Sequence, residues 1–312
     1  MIIKPTTLIL GAGASAPFRF PTGYQLLQQV LSLTHPSSLS NQMQNFAPLG
    51  HKQNEIIQFY NELLRSGKQS VDSFLEHREE FIEIGKTAIA MALISFENEW
   101  ELFKHDGNSW YEYLFNELNT QFDDFNENKL SILTFNYDRS LEYFLLTALK
   151  NLYGRPTEKC VEMLRSIPII HLHGDLGGLP DLEKGLVRAY HTSITTNTLG
   201  IASQRIKIIH EGIANEPQFT KAKKILSESK VICFLGFGYH ELNMERLGFG
   251  DSGLLIMDYN HAKVLGSTFG LTDAEASRIS KRYKRIFRPG TFDYRKWDVL
   301  QFLRETGVLF YN

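Results

Sequence analysis

Cysteine is scarce in this sequence, and so is an excess of charge of either sign. The 312 residues include only two cysteines, Cys160 and Cys233, and the net charge is −2 from 33 basic and 35 acidic residues. Two cysteines are too few for a disulfide scaffold, and their separation matches no zinc-ligand spacing. Without a basic field, binding to nucleic acid is not expected. The remaining composition, 43% hydrophobic and 22% charged, is that of an ordinary globular protein.

Long apolar runs are also missing. No stretch approaches the roughly 18 uninterrupted apolar residues that a membrane span requires. The N-terminal residues lack the basic segment, apolar core and small-residue cleavage site of a secretory signal peptide. We therefore expect a soluble, cytoplasmic protein that does not bind membranes.

The sequence does contain a series of short apolar runs, each typical of a strand that is buried on both faces. These runs predict strands at residues 6–10, 129–135, 167–173, 231–236 and 253–258. Segments with helical spacing of apolar residues lie between them, and the capping-box pattern of Thr22 and Gln25 predicts where the first helix begins. The last two helices are expected at 273–286 and 294–306. Strands that alternate with helices predict a Rossmann-like, doubly wound parallel sheet of the α/β class.

One long segment interrupts this alternation. Between about residues 35 and 128, every apolar pattern has helical spacing and none indicates a strand. Because strand patterns resume on both sides, we interpret the segment as a helical insertion into a single domain over residues 1–312.

Unusual residues follow four of the predicted strands. They form the motifs GAGAS at 11–15, FNYD at 135–138, HLHGD at 171–175 and GFGYHELN at 236–243. In open α/β sheets, ligands bind in the crevice beyond the carboxyl ends of the strands. We therefore expect the four motifs to surround one ligand site.

The first motif has the character of an anion-binding loop. Gly11 and Gly13 allow backbone N–H groups to approach an anion, and Ser15 offers a hydroxyl donor. The motif is not a Walker loop, because no Gly-Lys-Ser/Thr follows, and Ala16 replaces the third glycine of a dinucleotide fingerprint. A tight turn that binds no ligand explains the same glycines equally well.

The second and third motifs contain the candidates for chemistry. Asn136 and Asp138 follow one strand, although Asn and Asp also favour turns and helix N-caps. His173 is placed at the end of the next strand, where a histidine can reach a ligand, whereas His171 is expected to be structural. A metal site is the alternative, since His-x-His can bind zinc. Its further ligands would have to come from His191, His210 or His240, but nothing in their spacing selects them, so no metal is expected.

In this order, the four motifs resemble the NAD-binding core of sirtuins and, more closely, the bacterial sirtuin-like NADases of anti-phage defence systems. The glycine-rich loop, the Asn-x-Asp pair, the His-Gly pair and a glycine-containing ribose loop all have counterparts between about residues 6 and 260. Pro21 and Thr22 stand where sirtuins have Pro-Asp-Phe-Arg, and in this the chain resembles the defence-type branch. The four-cysteine zinc ribbon of sirtuin deacylases is missing, which favours NAD cleavage over protein deacylation.

The resemblance implies that NAD is the substrate and that nicotinamide and ADP-ribose are the products. It implies that Asn136 positions water and the ribose, that Asp138 orders the pocket and that His173 acts as the base. The residues implied to contact NAD are Gly11, Ala12, Gly13, Ser15, Pro21, Thr22, Gly236 and Gly238, with Asp258 or Asn260 on a ribose hydroxyl.

An NADase would poison its own cell unless gated, so the resemblance also implies a homo-oligomer or a partner defence protein that controls activity. A non-catalytic module that senses NAD or ADP-ribose remains the main alternative, and a sirtuin-type deacylase is a second.

Overall fold

A parallel β-sheet lies at the centre of the protein in the computed structural model, which describes residues 1–208, 216–249, 262–286 and 292–310. The strands are β1 (Thr6–Leu10), β2 (Leu130–Thr134), β3 (Ile169–His171), β4 (Val231–Leu235), β5 (Lys263–Ser267) and β6 (Phe292–Arg295). Among the described residues they pair in the order β3-β2-β1-β4-β5-β6, and every pair is parallel. This is the doubly wound order in which the chain changes direction between β1 and β4. The predicted fold class is therefore confirmed.

The strands next to this switch point end at the same level. Leu10 at the end of β1 is in register with Thr134 of β2 and with Leu235 of β4. The loops that follow these three strands consequently begin side by side. This register is what brings the sequence motifs to one edge of the sheet.

Four of the five predicted strands are present, although β3 is shorter than the predicted 167–173. His173 therefore lies beyond the strand. The predicted strand at 253–258 falls outside the described residues. Strands β5 and β6 were not predicted, because Gly266 interrupts the first and the second is mainly polar. The prediction of a helix from 294 was wrong at its start: residues 294–295 belong to β6.

Helices cover both faces of the sheet. They are α1 (Gly23–Thr34), α2 (Pro36–Phe46), α3 (Gln53–Arg65), α4 (Val71–Leu75), α5 (Ile82–Ile94), α6 (Glu99–Leu102), α7 (Trp110–Leu118), α8 (Ser140–Tyr153), α9 (Thr157–Leu164), α10 (Thr196–Arg205), α11 (Pro217–Glu228), α12 (Glu241–Arg246), α13 (Asp273–Ile286) and α14 (Val299–Thr306). The predicted start of α1 is confirmed, since the Thr22 N–H donates to Gln25 Oε1 at 2.8 Å. Alternate residues of β1 point to opposite faces: Leu8 joins one buried cluster and Ile9 the other.

Residues 35–128, all of which the structure describes, contain helices and no strand, as predicted. Helix α5 is buried on nearly all sides and contacts α1 and α10. Gly85 allows the close approach of α4, because a Cβ there would lie 2.5 Å from a methyl carbon of Leu75. The buried side chains of the insertion are continuous with those on one face of the sheet. The insertion thus thickens that face of the molecule.

Candidate functional site

The loops that follow β1 and β4 contact each other through their backbones. The Gly11 N–H donates to Leu235 O at 3.1 Å, and the Gly13 N–H donates to Gly236 O at 3.0 Å. A Cβ on Gly11 would lie 2.6 Å from Gly236 O. Gly236 has a positive φ of 55°, and a Cβ there would lie 2.1 Å from Ala14 N. Close packing of the two loops therefore requires these glycines, whether or not a ligand is bound.

The turn after β1 also uses several of its own N–H groups. Residues Ala12–Ala14 form a 3₁₀ turn. The Ala14 N–H donates to Gly11 O at 2.9 Å, and the Ser15 N–H donates to Ala12 O at 3.2 Å. In this conformation, the amides of residues 13–15 are already satisfied. The role of the turn in holding a pyrophosphate stays a prediction, and the glycines alone do not support it.

A buried hydrogen-bond network joins the first two motifs. Asn136 Nδ2 donates to Gly11 O and to Ser15 Oγ, both at 3.0 Å. Ser15 Oγ in turn donates to Asp138 Oδ2 at 2.7 Å. The other Asp138 oxygen accepts the Ser140 N–H at 3.3 Å and the Ser140 hydroxyl. The N-cap residue of α8 is Arg139 and not Asp138, but Asp138 accepts the first N–H of the helix from one residue earlier and also orients Ser15.

Burial raises the pKa of the Asp138 carboxyl, while the hydroxyl donors Ser140 and Ser15 act in the opposite direction. Because both carboxyl oxygens are occupied within the protein, Asp138 can act on a ligand through Ser15 and Asn136. Within the protein, Asp138 holds Ser15, which in turn accepts a hydrogen bond from Asn136.

His173 lies just beyond β3 in an aromatic pocket and is 7% exposed. Its ring centroid is 5.2 Å from that of Phe135 and 6.4 Å from those of Tyr137 and Phe219. In the described part of the chain, His173 Nε2 is buried and has no hydrogen-bond partner. Burial lowers the pKa of His173 to about 3, and the positive charge of Arg246 acts in the same direction. The imidazole is therefore neutral at physiological pH.

A buried polar atom without a partner costs about 1–3 kcal/mol, and native structures contain few of them. Among the described residues, Glu112 Oε1, Tyr190 OH and Thr268 Oγ1 share this property, but His173 Nε2 lies at the edge of the sheet where doubly wound folds bind ligands. No other predicted site residue has this property among the described ones.

His171 is bonded on both ring nitrogens. Nδ1 contacts Asn136 O at 2.9 Å, and Nε2 contacts the Glu142 carboxylate. Burial disfavours the charged ring, but Glu142 outweighs this and raises the pKa of His171 to about 9. Both ring nitrogens are thus satisfied within the protein, as expected for a structural histidine.

The turn after His173 depends on Gly174. This residue has a φ of 72°, and a Cβ there would lie 1.9 Å from Arg205 O. The Lys207 N–H donates to His173 O at 2.9 Å, and Arg205 forms an ion pair with Asp175. The end of α10 and the segment after it therefore hold the backbone of His173 in place.

The remaining predicted contacts with NAD have weaker support. Pro21 is buried, and Thr22 directs its N–H and its hydroxyl to Gln25 at the start of α1, a structural role. Gly238 is exposed beyond the loop contact. Asp258 and Asn260 lie outside the described residues, so neither can be placed.

Sequence reasoning missed a buried ionic cluster behind the site. Glu97 of the insertion accepts hydrogen bonds from Arg139, directly after Asp138, at 2.8 Å and from Arg188 at 2.7 Å. All three side chains are at most 2% exposed. Arg139 Nη1 also donates to Gly177 O at 2.7 Å. The cluster ties the segment after β2 and the segment after β3 to the insertion, and no local pattern indicates it.

The metal alternative receives no support from the geometry. Across the described ranges, no group of three or more His, Cys, Asp or Glu side chains could hold a metal ion. His191 Nδ1 contacts Glu97 O, His240 is exposed, and His210 lies outside those ranges.

None of the helices in the described ranges is long and apolar enough to cross a membrane.

No protein-family model matches the chain, and no curated protein matches it. The geometry of the site and its chemistry therefore carry the functional argument.

Proposed function

We propose that this protein is a sirtuin-like NAD⁺ glycohydrolase, which cleaves the bond between nicotinamide and ribose. The observation that carries the proposal is the buried, unpartnered Nε2 of His173 among the described residues, beside the Asn136 network. Both lie at the carboxyl edge of a sheet whose strand order is typical of dinucleotide-binding folds. An aromatic surrounding of the histidine is compatible with a flat heteroaromatic group.

The chemistry requires little acid–base assistance at the leaving group. Nicotinamide in NAD⁺ is already cationic, and positive charge builds on the ribose as the bond breaks, as in other glycosidic cleavages. The protein must orient the ribose and the attacking water and must exclude competing geometries. Asn136, held by Gly11 O and Ser15, supplies a fixed amide for this purpose.

The role of His173 follows from its neutral state. A general base works best when its pKa lies near the operating pH, and the pKa of His173 is about 3. We therefore propose that Nε2 first accepts a hydrogen bond from a ribose hydroxyl or the attacking water. This bond orients the nucleophile, and the proton of the attacking water passes to Nε2 as positive charge develops on the ribose.

We further propose that activity is gated by oligomerisation or by a partner protein, as in NAD-depleting anti-phage defence. The insertion offers a surface for such contacts, since Trp100 is 84% exposed there. Trp100 lines a groove of about 740 Å³, together with Phe103, Phe115 and Phe144.

The decisive experiment is chromatography of nicotinamide and ADP-ribose after incubation of the purified protein with NAD⁺. We expect release by the wild type and a loss of at least about 100-fold in His173→Ala and Asn136→Ala, since positioning alone supplies factors of this size. Asn41→Ala is the matched control, because Asn41 is exposed on α2.

Calorimetry of NAD⁺ binding separates the alternatives. Binding without release would favour the sensor, whereas absence of binding would overturn the assignment altogether. A cyclic product in place of ADP-ribose would change the fate of the ribose carbon but keep the proposed site.

A further inference from the structure

We infer that Asp72, on the helical insertion, positions Tyr137 against His173, so that the insertion completes the site; this inference rests on the function proposed above. Asp72 lies in α4, and Tyr137 lies between Asn136 and Asp138 in the loop after β2. Nothing in the local sequence links the two residues, which are 65 positions apart.

Asp72 and Tyr137 contact each other directly. The Tyr137 hydroxyl donates a hydrogen bond to Asp72 Oδ1. Burial raises the pKa of Tyr137 well above its ordinary value, and the negative charge of Asp72 adds to this, so the phenol keeps its proton and acts as the donor. Burial raises the pKa of Asp72, whereas the hydrogen bond from Tyr137 acts in the opposite direction and favours the carboxylate that accepts it. The phenol therefore has a fixed orientation.

Tyr137 in turn lies close to His173 and to the segment that follows it. The Tyr137 ring centroid is 6.4 Å from that of His173, and the Tyr137 carbonyl accepts the Leu176 N–H at 3.0 Å. Tyr137 thus contacts the segment that contains His173 through both its ring and its backbone. Its backbone also fixes the spacing of Asn136 and Asp138. An error in the position of Tyr137 would displace all three predicted functional residues.

A second contact is made by Glu76, the residue directly after α4. Glu76, four residues after Asp72, forms an ion pair with Arg246 at 3.0 Å, and both side chains are at least nine-tenths buried. Arg246 ends α12, which follows the loop after β4, and its charge acts on His173. Residues four apart share one face of a helix. The insertion therefore contacts two segments near His173, through Asp72 the loop after β2 and through Glu76 the end of α12.

A purely structural role is the competing explanation, because Phe74 and Leu75 of α4 are core residues. The test must therefore measure a quantity, kcat, that a loss of stability alone does not change. We would measure kcat and KM for nicotinamide release, together with the melting temperature, in Asp72→Asn, Tyr137→Phe and the double variant. Asp106→Asn is the matched control, since Asp106 is also on the insertion but forms an ion pair at the surface.

We expect each single variant to lower kcat by about 10- to 100-fold with KM changed by less than about threefold, as a misplaced catalytic group does. The double variant is expected to be no slower than Tyr137→Phe, because the two residues act as one unit. Equal kcat in Asp72→Asn and Asp106→Asn, or effects that multiply in the double variant, would overturn the inference alone. Absence of nicotinamide release by the wild type would instead overturn the proposed function and, with it, this role of Asp72.

Discussion

His171 and His173 are two residues apart, yet their surroundings differ in every respect that matters to an imidazole. The ring of His171 lies between Asn136 O and the Glu142 carboxylate, which raise its pKa to about 9. The ring of His173 packs against Phe135 and other aromatic side chains, and burial lowers its pKa to about 3. The surroundings of a histidine thus decide whether its ring is charged and bonded within the protein or neutral, with a nitrogen that has no partner among the described residues.

The largest expected effect comes from making the same substitution at both positions. His171→Phe leaves the Glu142 carboxylate buried without its partner, and we expect it to lower the free energy of unfolding by about 2–4 kcal/mol. His173→Phe places an aromatic ring among aromatic rings and removes an unpartnered nitrogen, so we expect a change of less than about 1 kcal/mol. Urea denaturation measures both, and a larger loss for His173→Phe would contradict the comparison.

The pH dependence of stability sharpens the same contrast. The raised pKa of His171 contributes stability below pH 6.5 that is lost as the pH rises to about 9. The lowered pKa of His173 contributes stability above pH 6.5 that is lost as the pH falls towards about 3. At about 1.4 kcal/mol per pKa unit, these contributions are at most about 3 kcal/mol for His171 and about 5 kcal/mol for His173.

Denaturation midpoints from pH 4 to 9 can assign these two contributions. Relative to the wild type, His171→Phe is expected to flatten the alkaline side of the stability curve, and His173→Phe the acidic side. If His171→Phe flattened the acidic side, or His173→Phe the alkaline side, groups other than these two histidines would control the pH dependence of stability.

The smallest expected effect is a change in the pKa of one side chain, that of His171. Glu142→Gln removes the charge that holds His171 protonated but preserves the shape of the side chain. We expect the pKa of His171 to fall by about 2 or more, since a close opposite charge accounts for shifts of this size. NMR titration of the histidine rings would follow both residues. An unchanged pKa for His171 would mean that Glu142 is not the cause.

Much of the fold could be predicted from local patterns. Strands β1, β2 and β4 are short apolar runs, and the capping pattern at Thr22 marks the start of α1 correctly. Strands β5 and β6 could not be found this way, because they contain a glycine or polar residues and are held by pairing with β4 and with each other. Pairing is a non-local interaction that the apolar pattern of one segment does not contain.

The candidate site, like the fold, could be predicted from the sequence only in part. The sequence by itself determined which residue types stand at the strand ends and that these ends belong to an α/β sheet, because periodicity and turn chemistry are local properties. Only the tertiary structure decided that Gly11, Gly13 and Gly236 pack against one another. It also decided that Glu142 pairs with His171 and that Asp72 reaches Tyr137. Burial and charge at a side chain depend on residues that are distant in sequence, and these set its chemistry.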